Sequence, residues 1–208
     1  IDRIIDDFLQ LAKMRSPVKS PVALDEHIDE YRLMLESRSD SSGIAIQFDC
    51  VGKPVIDADP EQMRQVWLNL ATNAFEALKG VMEPKLTFRF VADGTAGTMR
   101  FKVFDNGIGI PPENREKLFS PFFTTRANGV GLGLSIVRRI LQMNGGTIDI
   151  GEPENGIGAC FAGSLPLRRE GNDLVRRIST RKINRVNLFG TDNASGASES
   201  DRAPRPPV

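Results

Sequence analysis

This 208-residue chain has a single histidine, His27, and only two cysteines, Cys50 and Cys160. With no CxxC pair, a zinc site, a haem site and a disulfide scaffold are poor readings. No apolar run approaches the roughly 18 residues needed to span a bilayer. Net charge is also missing, since 27 basic side chains balance 27 acidic ones. That argues against a domain-wide footprint for nucleic acid. There is no initiator methionine and no signal-peptide pattern, and residue 1 already lies inside a helical periodicity. The chain is therefore expected to be a fragment of a longer protein. What remains is 40% hydrophobic and 26% charged, enough for one substantial domain whose core needs no covalent staple.

The balance of charge hides an asymmetry. Residues 1–165 carry 18 basic and 22 acidic side chains, and the remaining stretch carries 9 and 5. From 168 to 208 the chain is basic, then rich in Gly, Ser, Ala and Pro. Such a composition buries too little apolar area to offset ordering entropy, and it reads as a largely disordered tail. At the other end Ile1, Ile4, Ile5, Phe8, Leu9 and Ala12 recur at helical spacing. That helix is expected to stop before Ser16-Pro17, followed by a linker over 16–23. A second amphipathic helix is expected over 24–39, with Ile28, Tyr31 and Leu35 inward and His27 on its exposed polar part.

From Ile44 the period changes to two, as Ile44, Ile46, Phe48 and Cys50 alternate with polar or small residues. Asp59-Pro60-Glu61 is a strong helix start, combining an N-cap acid with proline at the first helical position. The helix that follows runs to about Lys79 and stops at Gly80. Strands are expected over 85–92 and 98–105 around the turn at Asp93-Gly94, then at 147–150 and 159–165. A short helix near 112–119 and a longer one near 132–143 lie between them. This pattern predicts an α+β fold, a two-layer sandwich with helices covering one face of a mixed, mostly antiparallel sheet.

Three segments carry chemistry. On the helix after Asp59, Gln62, Gln65, Asn69, Asn73 and Glu76 share a face apart from the apolar stripe of Val66, Leu70, Ala74 and Leu78. Carboxamides there can offer oxygens to Mg²⁺, which takes few protein ligands alongside substrate phosphates; a solvated polar face is the bland alternative. Asp105-Asn-Gly-Ile-Gly-Ile110 closes a strand. It is either a hairpin turn or a loop whose glycines let a flat ligand approach while Asp105 accepts from the ligand's amino group. Gly129-Val-Gly-Leu-Gly-Leu134 leads into a helix, where freed backbone amides can cradle phosphate oxygens. It is no Walker A loop, since GxxxxGK[ST] is absent. Phe119, Phe122 and Phe123 before it are core residues or anchors of a loop.

The order and spacing of these segments resemble the catalytic and ATP-binding domain of bacterial sensor histidine kinases, in the ATPase superfamily shared with gyrase. Gln65-Val-Trp-Leu-Asn-Leu-Ala-Thr-Asn-Ala-Phe-Glu-Ala77 resembles the N box, 105–110 the G1 box, 119–123 the F box and 129–134 the G2 box. Gly156-Ile-Gly-Ala-Cys-Phe161 is similar to the closing glycine-rich strand segment. Resemblance covers residues 24–167, and the short stretch between Phe123 and Gly129 is most like the nitrogen-regulation type with its compact ATP lid. Asn144 departs from the histidine common before Gly-Gly in the family, and Ala159 from a common threonine. Residues 1–15 resemble the end of the second helix of the dimerisation and phosphoacceptor hairpin. The phosphorylated histidine would then lie upstream of Ile1, and His27 has no such context.

The resemblance implies ATP and Mg²⁺ as cofactors. It assigns the metal to Asn73, with Asn69 ordering phosphates and metal and Glu76 on the same face. Adenine would lie on Asp105, in a pocket shaped by Gly107, Gly109 and Ile110. Thr125 and Arg126 would belong to the lid, with Arg126 stabilising transferred charge. Gly129, Val130, Gly131, Leu132, Gly133 and Leu134 would line the phosphates. The implied reaction moves the γ-phosphoryl group to a histidine and on to an aspartate of a response-regulator receiver domain. Implied partners are that receiver and the parent's own dimerising hairpin, with no nucleic acid, in the cytoplasm and with the parent open to an inner-membrane anchor. Lacking the acceptor histidine, the fragment alone is expected not to autophosphorylate. Two rivals stand beside this reading: a nucleotide-sensing pseudokinase scaffold, and a serine kinase regulating sigma factors, against which the Phe-rich box and the preceding helix count.

Overall fold

The computed structural model describes residues 14–39, 43–126 and 129–168. The expected hairpin helix, apart from its last two residues, and the basic tail beyond Arg168 lie outside them. The described chain runs β1 (Ser20–Ala23), α1 (Leu24–Ser39), β2 (Ala45–Val51), β3 (Val55–Ala58), α2 (Pro60–Ala77), β4 (Lys85–Asp93), β5 (Thr98–Asp105), α3 (Gly133–Met143), β6 (Thr147–Ile150) and β7 (Cys160–Pro166). Short 3₁₀ turns occupy Pro112–Lys117 and Glu154–Gly156. Five strands form one sheet in the order β2-β4-β5-β7-β6, with only the β2–β4 pair parallel. The α+β sandwich with a mostly antiparallel sheet is therefore what forms.

Alternation along β4 and β5 explains the layering. Leu86, Phe88 and Phe90 on β4, with Met99, Phe101 and Val103 on β5, are all buried on the face that the helices cover. Trp67 of α2 meets the rings of Phe90 and Phe101 edge-on at 5.2 and 5.3 Å, the arrangement that ring quadrupoles favour. Val66, Leu70 and Ala74 of α2 and Ile136, Val137, Ile140 and Leu141 of α3 complete this core.

Some expectations change. The stretch read as a linker over 16–23 contains a strand: β1 pairs antiparallel with β3, which the sequence reading also lacks, from Ser20↔Ala58 to Ala23↔Val55. Pro21 is tolerated because the β1–β3 pair is a two-stranded sheet in which β1 is an edge. The helix expected near 112–119 is a 3₁₀ turn ending at Lys117. His27 is half-buried rather than exposed, its Nδ1 bonded to the Ala23 carbonyl at 2.9 Å.

Candidate nucleotide site

The second half of α2 supplies one wall. Asn69 and Asn73 stand one turn apart and half-buried, flanking the buried Val66–Leu70–Ala74 stripe. The Nδ2 of Asn73 is buried without a partner, and its Oδ1 accepts from Arg126 Nη2 at 2.9 Å. Glu76 faces elsewhere: its carboxylate lies 2.7 Å from Lys79 Nζ on the exposed surface.

The loop after β5 is locked to that helix. Ile108 N donates to the Ala77 carbonyl at 3.2 Å. A Cβ on Gly107 would sit 2.5 Å from the same oxygen, so only glycine lets the loop come this close. Asp105 is 6% exposed, and its Oδ1 accepts from the amides of Gly107 (2.9 Å) and Ala159 (3.3 Å). Burial pushes its carboxyl above the ordinary carboxylate range, against the pull of those two amides. Both recorded bonds fall on one oxygen, which leaves Oδ2 for a donor from outside. Gly158, at φ +84°, passes so near the Asp105 carbonyl that a Cβ there would overlap it. Thus Gly158 and Ala159 belong to the site, and the spacing of Gly156 and Gly158 in the closing strand segment was their sequence signal.

The third wall is the start of α3. Its N-cap, Leu132, makes no side-chain cap bond, and the first helical bond is Ile136 N to Leu132 O. The amides of Gly133, Leu134 and Ser135 therefore precede the first helical bond at a helix N-terminus, where the dipole favours anions. Gly131, at φ +73°, lies against the Phe122–Phe123 backbone, where a Cβ would fall 2.5 Å from the Phe122 carbonyl carbon. The phenylalanines divide between both readings. Phe119 is buried under the Arg138 guanidinium, 3.9 Å from its ring centroid, Phe123 is half-buried, and Phe122 is exposed at φ +65°. Ile110 and Val130 pack against the core, whereas Thr125 is exposed. The backbone of Gly129 closes a turn on the Arg126 carbonyl at 3.2 Å.

Asparagine oxygens suit a hard cation, and no group of three His, Cys, Asp or Glu side chains gathers among the described residues. That donor set fits Mg²⁺, which keeps waters and shares phosphate oxygens rather than entering an all-protein cage.

The sequence profile of the "Histidine kinase-, DNA gyrase B-, and HSP90-like ATPase" family matches residues 58–169. The sensor histidine kinase ZraS of Klebsiella oxytoca is 34% identical over 178 residues, which is 83% of this chain and 37% of that protein. The chain thus spans just over a third of that relative's length. A nucleotide-free catalytic domain of the histidine kinase ThkA superposes with TM-score 0.62 at 33% identity, covering 71% of this chain and 95% of that one. ThkA in complex with the response regulator TrrA gives 0.67 at 31% identity over 80% of this chain and 47% of the other. Full-length ShkA with AMPPNP gives 0.68 at 29% identity over 79% and 35%. The chain belongs to the histidine kinase-, DNA gyrase B- and HSP90-like ATPases, in the sensor histidine kinase branch of that family.

Proposed function

We propose that this chain is the ATP-binding catalytic domain of a two-component sensor kinase, delivering the γ-phosphoryl group of ATP to a histidine of its own dimerisation hairpin. The observation that carries the reading is Asp105: a buried carboxylate with one oxygen fixed by two amides and the other left for an external donor, beside glycine loops and an uncapped helix start. Asp105 Oδ2 accepts from the adenine amino group, and Gly107 and Gly109 keep the backbone flat against the ring. Amides from Gly129 to Ser135 hold the phosphates. Asn73, with Asn69 beside it, would hold Mg²⁺, which supplies charge neutralisation. The histidine nitrogen bonds the γ-phosphorus as the bond from that phosphorus to the β–γ bridging oxygen breaks, and ADP leaves with the electron pair. Arg126 balances charge on the moving group.

By analogy with the ThkA–TrrA pair, the phosphoryl group then passes to a receiver aspartate. A receiver partner fits a cytoplasmic domain. Among the described residues no helix is long and apolar enough to cross a membrane. The test is titration with a non-hydrolysable ATP analogue, with and without Mg²⁺, followed by transfer from ATP to a supplied phosphoacceptor hairpin. Asn73→Ala should abolish the metal-dependent part of binding, and Asp105→Ala should abolish binding in either condition. Absence of binding by folded wild-type protein would refute the reading.

A further inference from the structure

Arg126 is seated where the metal is proposed to go. Its Nη2 lies 2.9 Å from Asn73 Oδ1 and 3.2 Å from the Asn73 carbonyl, so one guanidinium nitrogen is held by two oxygens of a single residue. No carboxylate is paired with it among the described residues. A guanidinium that settles on two neutral oxygens marks them as a seat for positive charge. Helix electrostatics agrees. Asn73 lies near the C-terminal end of α2, where the carbonyl dipoles favour cations, and the last turn of α2 has no basic residue of its own. Lys79, just beyond, is held by Glu76. Arg126 reaches this end from 53 residues away. The guanidinium has donors only, so it turns the amide oxygen outward and leaves Asn73 Nδ2 buried without a partner.

We propose that Arg126 is a built-in stand-in for the metal: it occupies the Asn73 oxygen, and Mg²⁺ binding requires its release. The inference rests on the assignment of the metal to Asn73. An amide oxygen that accepts from Nη2 at 2.9 Å already holds one cation, and Mg²⁺ arriving on the same oxygen would repel it at close quarters. Metal entry therefore frees a guanidinium next to the phosphates, where its charge is needed. The same contact makes arrival of the metal and release of the arginine one event.

ADP is the probe, measured by calorimetry with excess Mg²⁺ and again with EDTA. ADP lacks the γ-phosphoryl group whose charge Arg126 is proposed to balance, so the ratio of the two affinities reports the metal seat rather than that contact. Arg126→Gln should raise this ratio about three- to tenfold, the equivalent of one hydrogen bond from a charged donor at an exposed site. Arg126→Lys, which keeps the charge, should stay near wild type. A second reading needs no nucleotide. In ¹⁵N spectra the Asn73 side-chain amide pair, identified by its loss in Asn73→Ala, should shift in Arg126→Gln. An unchanged or lowered ratio with an unmoved amide pair overturns the proposal. Failure of wild type to bind any nucleotide refutes the proposed function, while the amide pair still decides whether Arg126 holds Asn73.

Discussion

Asp105 brings a charge to a place that resists it. Burial raises its carboxyl above the ordinary range, so the folded state prefers the protonated form. An unfolded aspartate ionises near pH 4. The cost to stability therefore begins there, grows as pH rises through the elevated value and is complete above it. Asp105→Asn keeps an oxygen for the amides of Gly107 and Ala159 and removes the buried charge. Its melting temperature should exceed that of wild type at pH 7–8, and the gap should close toward pH 4. Nucleotide binding should move the other way. An amide turned to face adenine offers donors where an acceptor is needed, which costs about 1.5–3 kcal/mol, or roughly ten- to a hundredfold in affinity. Wild-type affinity should itself rise with pH through the same raised value. Calorimetric scans and titrations across pH check both, and a variant that is less stable at every pH would show that the charge is not the cost.

Between elements, the loops meet by backbone contact, and glycine decides how closely. Gly131 touches the Phe122–Phe123 backbone at a positive φ. An alanine there costs about 1–2 kcal/mol in conformation alone, and its Cβ must push the Phe-rich loop away. Gly131→Ala is expected to weaken ATP-analogue binding at least tenfold while lowering the melting temperature by only a few degrees, because the core strands are untouched. Calorimetry and thermal denaturation read the two effects separately. Long periodic elements such as α2, β4 and β5 were legible because each has a strong two- or four-residue signal and a marked start or turn. The four-residue β1 and β3 were not, since each is too short for periodicity and β1 contains Pro21. Motif residues were legible in the same way, as glycines and asparagines at set spacing. The Arg126–Asn73 contact was not, because nothing local joins positions 53 apart. Glu76 shows the converse, sharing a helix face with Asn73 yet turning to Lys79.

At the scale of the whole molecule, three distant segments converge on Asp59, which is 1% exposed. It caps α2 through the amides of Glu61 and Gln62, accepts from Val18 N at 2.8 Å and pairs with Arg15 at 2.8 Å. Asn144, at the end of α3, accepts from Asp59 N and donates to Gln62 Oε1, whose own amide reaches the Arg15 carbonyl. The departure from histidine at this position thus leaves a fully buried side chain with every recorded partner inside the fold. Burial alone would raise the Asp59 carboxyl, but the amides of Val18 and Gln62 and the Arg15 charge outweigh it and hold the group below the ordinary range. The sign is opposite to that of Asp105. Stability from Asp59 is present above the ordinary carboxylate pKa and is lost as pH falls through the lowered one. Asp59→Ala should cost at least the 1–2 kcal/mol of a lost N-cap and also release the approach to β1. Asp59→Asn can still cap the helix but cannot hold Arg15 by charge, so it should lose less at pH 7 and flatten the acid limb of the stability curve. Urea midpoints between pH 3 and 7 measure the first effect, and the rate of tryptic cleavage after Arg15 measures the second. If cleavage after Arg15 is no faster in Asp59→Ala than in wild type at a temperature where both are folded, Asp59 caps a helix and does not tether the chain entering the domain.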